Sequence, residues 1–374
     1  MRIGIDYRMA GTQNGGIGRY VLELFKNLLR VDKNNEYYFF YNDYRFIEPL
    51  KIKIEGFKIN FIETNIQHYS LLEQVKFPFI LGKYNLDLVH FPNFNAPIFY
   101  KRPFVVTVHD LIHHKLGGVK KTNLLHFSAY KTVIKQAILR ARKIITVSNA
   151  SKADILQEYP QTAEKIRVVY EAASSFLKPS PRQVADFKSK FYLDKPYFLF
   201  VGVLQRNKNL ELLCRAFDLF LEDFRLNFDL VIAGKADPHY PEIKNQCLKI
   251  KNRNRLVFTG SLEEDDLSAA YAGAYAFVSA SKFEGFGLPG LEAISFGLPL
   301  AVSNIPVFNE IYENGAIYFN PESSRDIAQC LSLLAQDRLY YMQLKQKAIA
   351  RAKVFSWEKC AAETLEVYKS HLQQ

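Results

Sequence analysis

Two glutamates eight residues apart, Glu284 and Glu292, bracket three glycines, Gly285, Gly287 and Gly290, in the stretch AFVSASKFEGFGLPGLEAISFGLPL. Ionised carboxylates accept hydrogen bonds and donate none, so two of them beside one turn suit a ligand rich in hydroxyls. One can grip a sugar and the other a ribose. The glycines let the backbone turn sharply and leave room for a ligand to approach main-chain amides. A carboxylate near a helix start also has a plainer use, interaction with the helix dipole. That accounts for Glu292 alone and leaves Glu284 unexplained.

Such a constellation needs a strand before it and a helix after it. Ala276 to Ala280 is a short run of apolar and small residues, the pattern of a strand covered on both faces. Pro289 suits the first helical position, where its missing N–H costs little. Glu292 is then expected in the first turn. The amides at the helix start are unpaired donors and make an anion site.

The run FEGFGLPGLEA resembles the signature of retaining GT-B glycosyltransferases, most closely glycosyltransferase family four. The resemblance implies that Glu284 contacts the donor sugar and Glu292 the nucleotide ribose. It also implies that the amides of Phe286, Gly287 and Leu288 meet the sugar and the diphosphate.

The whole chain supports a two-domain reading. Its 374 residues exceed one typical domain, and 48% hydrophobic with 23% charged residues is ordinary for a globular protein with sizeable cores. The cysteines, Cys214, Cys247, Cys330 and Cys360, form no metal-ligand pair and fit a reducing cytoplasm. MRIGIDY opens on a strand pattern without a signal-peptide signature, and no apolar run approaches the roughly 20 residues needed to span a bilayer. The charge is uneven. Residues 1–175 carry 25 Lys+Arg against 15 Asp+Glu, and the remainder 24 against 23. Much of the excess falls between Lys101 and Lys143. It is either a set of solvated helix faces or an attraction to an anionic membrane or a phosphate-bearing acceptor. No nucleic-acid-binding motif accompanies it.

From the N-terminus, Ile3 to Asp6 reads as a strand, and the loop YRMAGTQNGGIGRY brings Gly15, Gly16 and Gly18 to a helix. The loop is too long for a dinucleotide fingerprint, and Val21 stands at its third glycine position. Strands are expected at Tyr37–Tyr41, Phe57–Ile62, Leu86–Phe91 and Phe104–Val108. His109 emerges at the carboxyl end of the last, where ligands of open α/β sheets bind; His113 and His114 are its near competitors. A helix should run from Lys121 to Arg140. After a strand ending at Ser148, Asn149 or Ser151 is expected to cap the next helix. Ala172 to Lys195 is loose in Ser and Pro, with Pro196 following, and reads as an interdomain linker. Strand patterns then recur at YFLFVGVL, FDLVIAG, RLVFTG, AYAFVSA and PLAVSN, with helical patterns between them. LQRNKNL follows the first of these, where Arg206 and Lys208 can reach a diphosphate; an exposed basic turn is the plainer reading. The acidic run Glu263–Asp266 reads as a helix start.

The family resemblance places Gly16 and Gly18 against the donor diphosphate, His109 beside the reacting sugar, and Leu262 at the nucleobase edge. Lys208 aligns with the family's basic pair, whereas Arg206 falls one place early, with Val203 and Asn207 at the usual arginine positions. The implied architecture is α/β GT-B, two doubly wound Rossmann-like domains facing across a cleft. The boundaries are 1–175 for the acceptor domain, 196–355 for the donor domain, and 356–374 for a helix returning to the first. The implied activity is retaining hexosyl transfer from a nucleotide sugar, GDP-mannose above others, to a glycan or lipid-linked acceptor in cell-surface polysaccharide synthesis. No metal or other cofactor is expected. No nucleophile stands ready, so front-face attack is the expected course, by an enzyme in the cytoplasm or peripheral on the membrane's inner face. A GT-B nucleotide-sugar epimerase and a non-catalytic sugar-nucleotide-binding or membrane-docking module are the rival readings, and no feature sets an oligomeric state.

Overall fold

A computed structural model of the chain describes residues 1–11, 15–51, 58–115, 124–174 and 176–370. The chain forms two compact units, one of residues 1–172 with the C-terminal segment from Ser356, the other spanning Ala173–Phe355.

The first unit begins with β1 (Arg2–Asp6), α1 (Gly15–Val31), β2 (Glu36–Tyr41), α2 (Glu48–Lys51), β3 (Lys58–Glu63), α3 (Leu71–Gly82) and β4 (Leu88–Phe91). It continues with β5 (Phe104–Val108), α4 (Ile112–Lys115), α5 (Leu124–Arg140), β6 (Lys143–Thr146), α6 (Asn149–Glu158) and β7 (Ile166–Val168). The strands pair in parallel in the order β3-β2-β1-β4-β5-β6-β7, so the winding reverses between β1 and β4. Neighbouring side chains of β2 point to opposite faces, as the strand period of two requires. Phe39 packs on Phe25 of α1, and Phe40 packs on Phe77 of α3. The α1 stripe Val21, Leu24, Phe25 and Leu28 is buried as its spacing predicts. On the other face, Phe77, Ile134 and Ile155 bring α3, α5 and α6 into one core.

Two local expectations are corrected here. The helix α1 begins at Gly15, so Gly16 and Gly18 sit within it and not in a loop ahead of it. Thr12, Gln13 and Asn14 of that loop lie outside the described residues. Ser148, not Asn149 or Ser151, caps α6, its hydroxyl accepting the Ser151 amide at 3.0 Å. The three-residue strand β7 was too short to carry a readable pattern.

The second unit runs α7 (Pro181–Lys190), β8 (Tyr197–Val201), α8 (Leu210–Phe224), β9 (Asp229–Ala233), α9 (Glu242–Cys247), β10 (Leu256–Gly260) and α10 (Glu264–Gly273). Then come β11 (Ala276–Ser279), α11 (Leu288–Ser295), β12 (Leu300–Ser303), α12 (Pro306–Tyr312), β13 (Ala316–Phe319), α13 (Ser324–Gln336) and α14 (Arg338–Ala352). Its parallel sheet has the order β10-β9-β8-β11-β12-β13 and reverses between β8 and β11. The stretch expected to be a linker holds α7. Ser180 caps it in a reciprocal box with Gln183, and Pro181 fills the first turn. The Ser-Pro pair that resembles a linker is thus a helix start.

The last helix, α15 (Trp357–Ser370), belongs to the first unit and packs on α1. Trp357, Leu365 and Tyr368 are its buried anchors. Tyr368 holds the fully buried His90 at 2.6 Å, and Thr107 holds the other ring nitrogen at 2.8 Å. Among the described residues, no helix is long and apolar enough to cross a membrane.

Candidate active site

Ligands of open parallel sheets bind beyond the strand carboxyl ends where the winding reverses. In the second unit that point lies between β8 and β11. Past β8, the chain makes a tight turn over Arg206–Lys208, and Asn209 takes a left-handed conformation (φ 54°) before α8. Past β11, residues 280–287 lead into α11. The two loops are tied together. Lys282 donates its amide to the Asn207 carbonyl at 2.8 Å, and the Asn207 side chain donates to the Phe283 carbonyl at 3.3 Å. Asn207, standing where a family arginine was sought, is a loop clamp.

That clamp brings the Lys208 ammonium to the Glu284 carboxylate at 2.7 Å, with both side chains mostly buried. Ser281 donates to the same carboxylate oxygen at 2.7 Å. The pair lines a small recess together with Ser279, Gly287, Pro289, Gly290 and Tyr312. Among the three glycines, only Gly287 has a positive φ, 97°. Gly290 is required for space, since a Cβ there would run into the Tyr312 ring. The Tyr312 hydroxyl donates to the Gly287 carbonyl at 2.6 Å. Burial, with the Glu284 charge next, pushes its pKa well above the ordinary tyrosine value, so it remains a donor.

The helix α11 starts at Leu288, which puts Pro289 second and Glu292 fifth. Glu292 is therefore not in the first turn, and a dipole contact does not explain it. It is buried, and it accepts from Ser174 at 3.0 Å and from Tyr271 at 2.9 Å. No side chain caps α11, and the Gly287 carbonyl accepts the Gly290 amide at 3.1 Å.

The remaining donor-side residues are more scattered. Phe286 is buried against Phe355, and Leu288 is buried at the helix start. Arg206 does not join Lys208. It is half exposed, lies over the Tyr240 ring and pairs with Glu242 at 3.3 Å. Leu262 is half-buried in the connection after β10, two strands from β8. Glu264, Asp265 and Asp266 occupy the first turn of α10, as a helix start would have them.

In the first unit, His109 follows β5 directly. Its Nδ1 faces Glu171 at 3.1 Å, its Nε2 faces the Pro92 carbonyl at 3.0 Å, and Tyr20 packs edge-on to the ring at 4.7 Å. Burial alone would lower the imidazole pKa. The Glu171 hydrogen bond and charge, helped by the Pro92 carbonyl, outweigh it and hold the pKa above the ordinary value. Both ring nitrogens then donate, as an imidazolium requires. Gly16 is exposed in the first turn of α1, and Gly18 is buried, its carbonyl accepting the Gly11 amide at 3.4 Å. Of the competing histidines, His114 faces Tyr130 at 3.1 Å, and the His113 side chain lies outside the described residues.

Sequence reasoning missed Glu171, Tyr312, Tyr271 and Ser174. Glu171 gave no local signal, because its partner lies 62 residues earlier. Gly290 is the sequence trace of Tyr312, whose ring occupies the space a Cβ would take.

Comparison with known proteins follows the same division. Residues 14–173 match the model for Glycosyltransferase Family 4, and residues 181–352 match that for glycosyl transferases group 1. The O-antigen chain mannosyltransferase B of Escherichia coli is 27% identical over 368 residues, covering 95% of this chain and 96% of that protein. The serotype-specific mannosyltransferase WbdA of the same organism is 28% identical over 242 residues, 63% of this chain but only 29% of WbdA. Among solved structures, Anabaena Alr3699/HepE, in complex with UDP and glucose, superposes with a TM-score of 0.76 at 17% identity, covering 99% of this chain and 100% of that one. WaaG, a glycosyltransferase involved in lipopolysaccharide biosynthesis, superposes with a TM-score of 0.73 at 16% identity, covering 98% and 99%. Two parallel Rossmann-like sheets with these likenesses define a glycosyltransferase of the α/β GT-B fold. The chain belongs to glycosyltransferase family four and is mannosyltransferase-like.

Proposed function

We propose that this glycosyltransferase moves mannose from GDP-mannose to a glycan or lipid-linked acceptor in cell-surface polysaccharide synthesis. Configuration is retained, and no metal is required. The observation that carries the reading is the Lys208–Glu284 pair, 2.7 Å apart at the mouth of an uncapped helix. A carboxylate that accepts sugar hydroxyls stands beside a cation that meets diphosphate. Relatives named as mannosyltransferases of O-antigen chains support the choice of sugar and product class.

In the proposed step the bond from the anomeric carbon to the diphosphate oxygen breaks, and a bond to an acceptor hydroxyl oxygen forms on the same face. The hydroxyl proton passes to the departing diphosphate oxygen. Lys208 and the α11 amides stabilise the charge that develops there. Glu292 holds the ribose, Phe286, Gly287 and Leu288 present their amides, Gly16 and Gly18 serve diphosphate recognition, and Leu262 borders the base. Arg206 would need to leave Glu242 to take part. With both ring nitrogens already facing acceptors, His109 holds the backbone around the reacting sugar and abstracts no proton. The enzyme works in the cytoplasm, and the positive excess of residues 1–175 supports a peripheral place on the anionic inner face of the membrane.

A donor panel tests this. Calorimetry with GDP-mannose, UDP-glucose and UDP-N-acetylglucosamine should show tightest binding to GDP-mannose, and slow hydrolysis without acceptor should release mannose. Product anomeric couplings should match the donor's, with turnover unchanged by chelator. Equal binding of nucleoside and nucleoside diphosphate would remove the phosphate site. Recovery of an epimerised donor would replace the transferase reading.

A further inference from the structure

Helix α3 is apolar on the wrong side as well as the right one. Phe77 and Leu81 point inward to the core they share with Phe40 and Phe91. At 3.6 residues per turn, Leu71, Val75 and Phe79 form a second row on the opposite side, with Leu72 beside it. These are among the most exposed large apolar side chains described, Leu71 at 87%, Phe79 at 75%, Val75 at 61% and Leu72 at 53%. A helix that is hydrophobic all round is normally covered on both sides. An exposed row of this kind marks an interaction surface.

The patch extends beyond the helix. Gln74 accepts the Ile98 amide at 2.9 Å, which fixes the 97–102 loop beside α3 and leaves Phe99 58% exposed. Charge sits at its border. Lys76 and Lys83 are exposed along the helix, with Lys83 over the Phe79 ring at 5.7 Å. Lys101 and Arg102 follow Phe99 in the loop and are exposed. The one carboxylate of α3, Glu73, is turned inward to Arg8 at 2.7 Å with no exposure. The outer face therefore offers apolar side chains and cations but no acid.

We infer that the outer face of α3, with Phe99, docks on an anionic lipid surface, its apolar row entering the headgroup boundary and its lysines meeting lipid phosphates. Exposed apolar side chains bordered by cations suit a surface with an apolar interior and anionic headgroups. A second copy of the chain would bring the same cations against themselves, which disfavours a dimer through this face. The purpose of the docking rests on the membrane-borne acceptor proposed above; the docking itself is read without any acceptor.

The test is sedimentation of the full chain with phosphatidylcholine vesicles and with vesicles of equal phosphatidylcholine and phosphatidylglycerol. The unmodified protein should pellet only with the anionic vesicles, and less so in salt, as the screening length falls from about 10 Å at 0.1 M to about 3 Å at 1 M. Val75→Ser with Phe79→Ser, and separately Lys76→Glu with Lys83→Glu, should each weaken binding at least tenfold with unchanged thermal melts. A Phe79→Trp variant should be quenched by brominated lipid. If the unmodified protein binds and both double variants bind equally well, α3 is not the docking face, although peripheral association survives. Binding to neither vesicle removes both, while donor binding still stands on its own. A lipid-free dimer abolished by Val75→Ser with Phe79→Ser would assign the face to a second copy and overturn the inference.

Discussion

Lys208 and Glu284 meet at 2.7 Å although 76 residues separate them, because they follow two strands, β8 and β11, that are neighbours in the sheet. Removing either group should separate phosphate recognition from sugar recognition. Lys208→Ala should weaken nucleoside diphosphate binding by about 1.5–3 kcal/mol, the worth of a charged hydrogen bond, and leave nucleoside binding unchanged. Glu284→Ala should abolish transfer while nucleoside diphosphate still binds. Calorimetry paired with a turnover assay reads both, and wild-type turnover in Glu284→Ala would refute the donor-sugar assignment.

Glu292 is expected to serve stability as well as nucleotide binding. Its carboxylate satisfies the hydroxyls of Ser174 and Tyr271 in a buried setting. Glu292→Ala should therefore lower unfolding free energy by about 1–3 kcal/mol in a urea melt, in addition to weakening nucleotide affinity. Tyr271→Phe should cost less, since only a single donor is removed. A Glu292→Ala melt like that of the unmodified protein would confine the residue to the ligand.

Arg8 follows β1 and is fully buried between Asp6 and Glu73, each at 2.7 Å, with the Phe77 ring 3.7 Å from the guanidinium. Glu73 also accepts from Asn95 at 2.8 Å and from the Tyr69 amide at 2.9 Å. Glu73→Ala strands these donors and should destabilise by about 3–5 kcal/mol, the usual cost of breaking a buried pair. Thermal and urea melts that agree on a loss under 1 kcal/mol would mean that water reaches the cluster.

Two histidines of the first unit should give opposite pH dependence. His90 is buried, and burial lowers its pKa from 6.5 to about 3. The unfolded chain thus binds a proton that the folded chain refuses, and this stabilisation falls as pH drops from about 6.5 toward 3. His109 is raised, so its contribution is full below about 6.5 and is lost as pH climbs through the folded value. Glu171→Gln should flatten the alkaline side of a melting-temperature profile and leave the acid side alone. The reverse outcome would mean that Glu171 does not set the His109 charge.

Much of the chemistry was legible in the order of residues. Phe104–Val108 reads as a buried strand because every residue in it is apolar or β-branched, and that alone puts His109 at a ligand edge. The FEGFGLPGLEA run declares a strand, a turn and a helix through its glycines and proline. Such signals are local, since period and punctuation report only which face of a segment is apolar and where it stops. Partners were decided by strand order. Lys208 meets Glu284 across β8 and β11, His109 meets Glu171 near β5 and β7, and Gly290 is small because Tyr312 of α12 lies over it. Arg206 and Lys208 look alike two residues apart, yet a tight turn sends one to Glu242 and the other to Glu284. The α3 sequence LLEQVKFPFILG is apolar on all sides, so periodicity could not say which side is covered. Packing alone chose Phe77 and Leu81 for the core and left Leu71, Val75 and Phe79 outside.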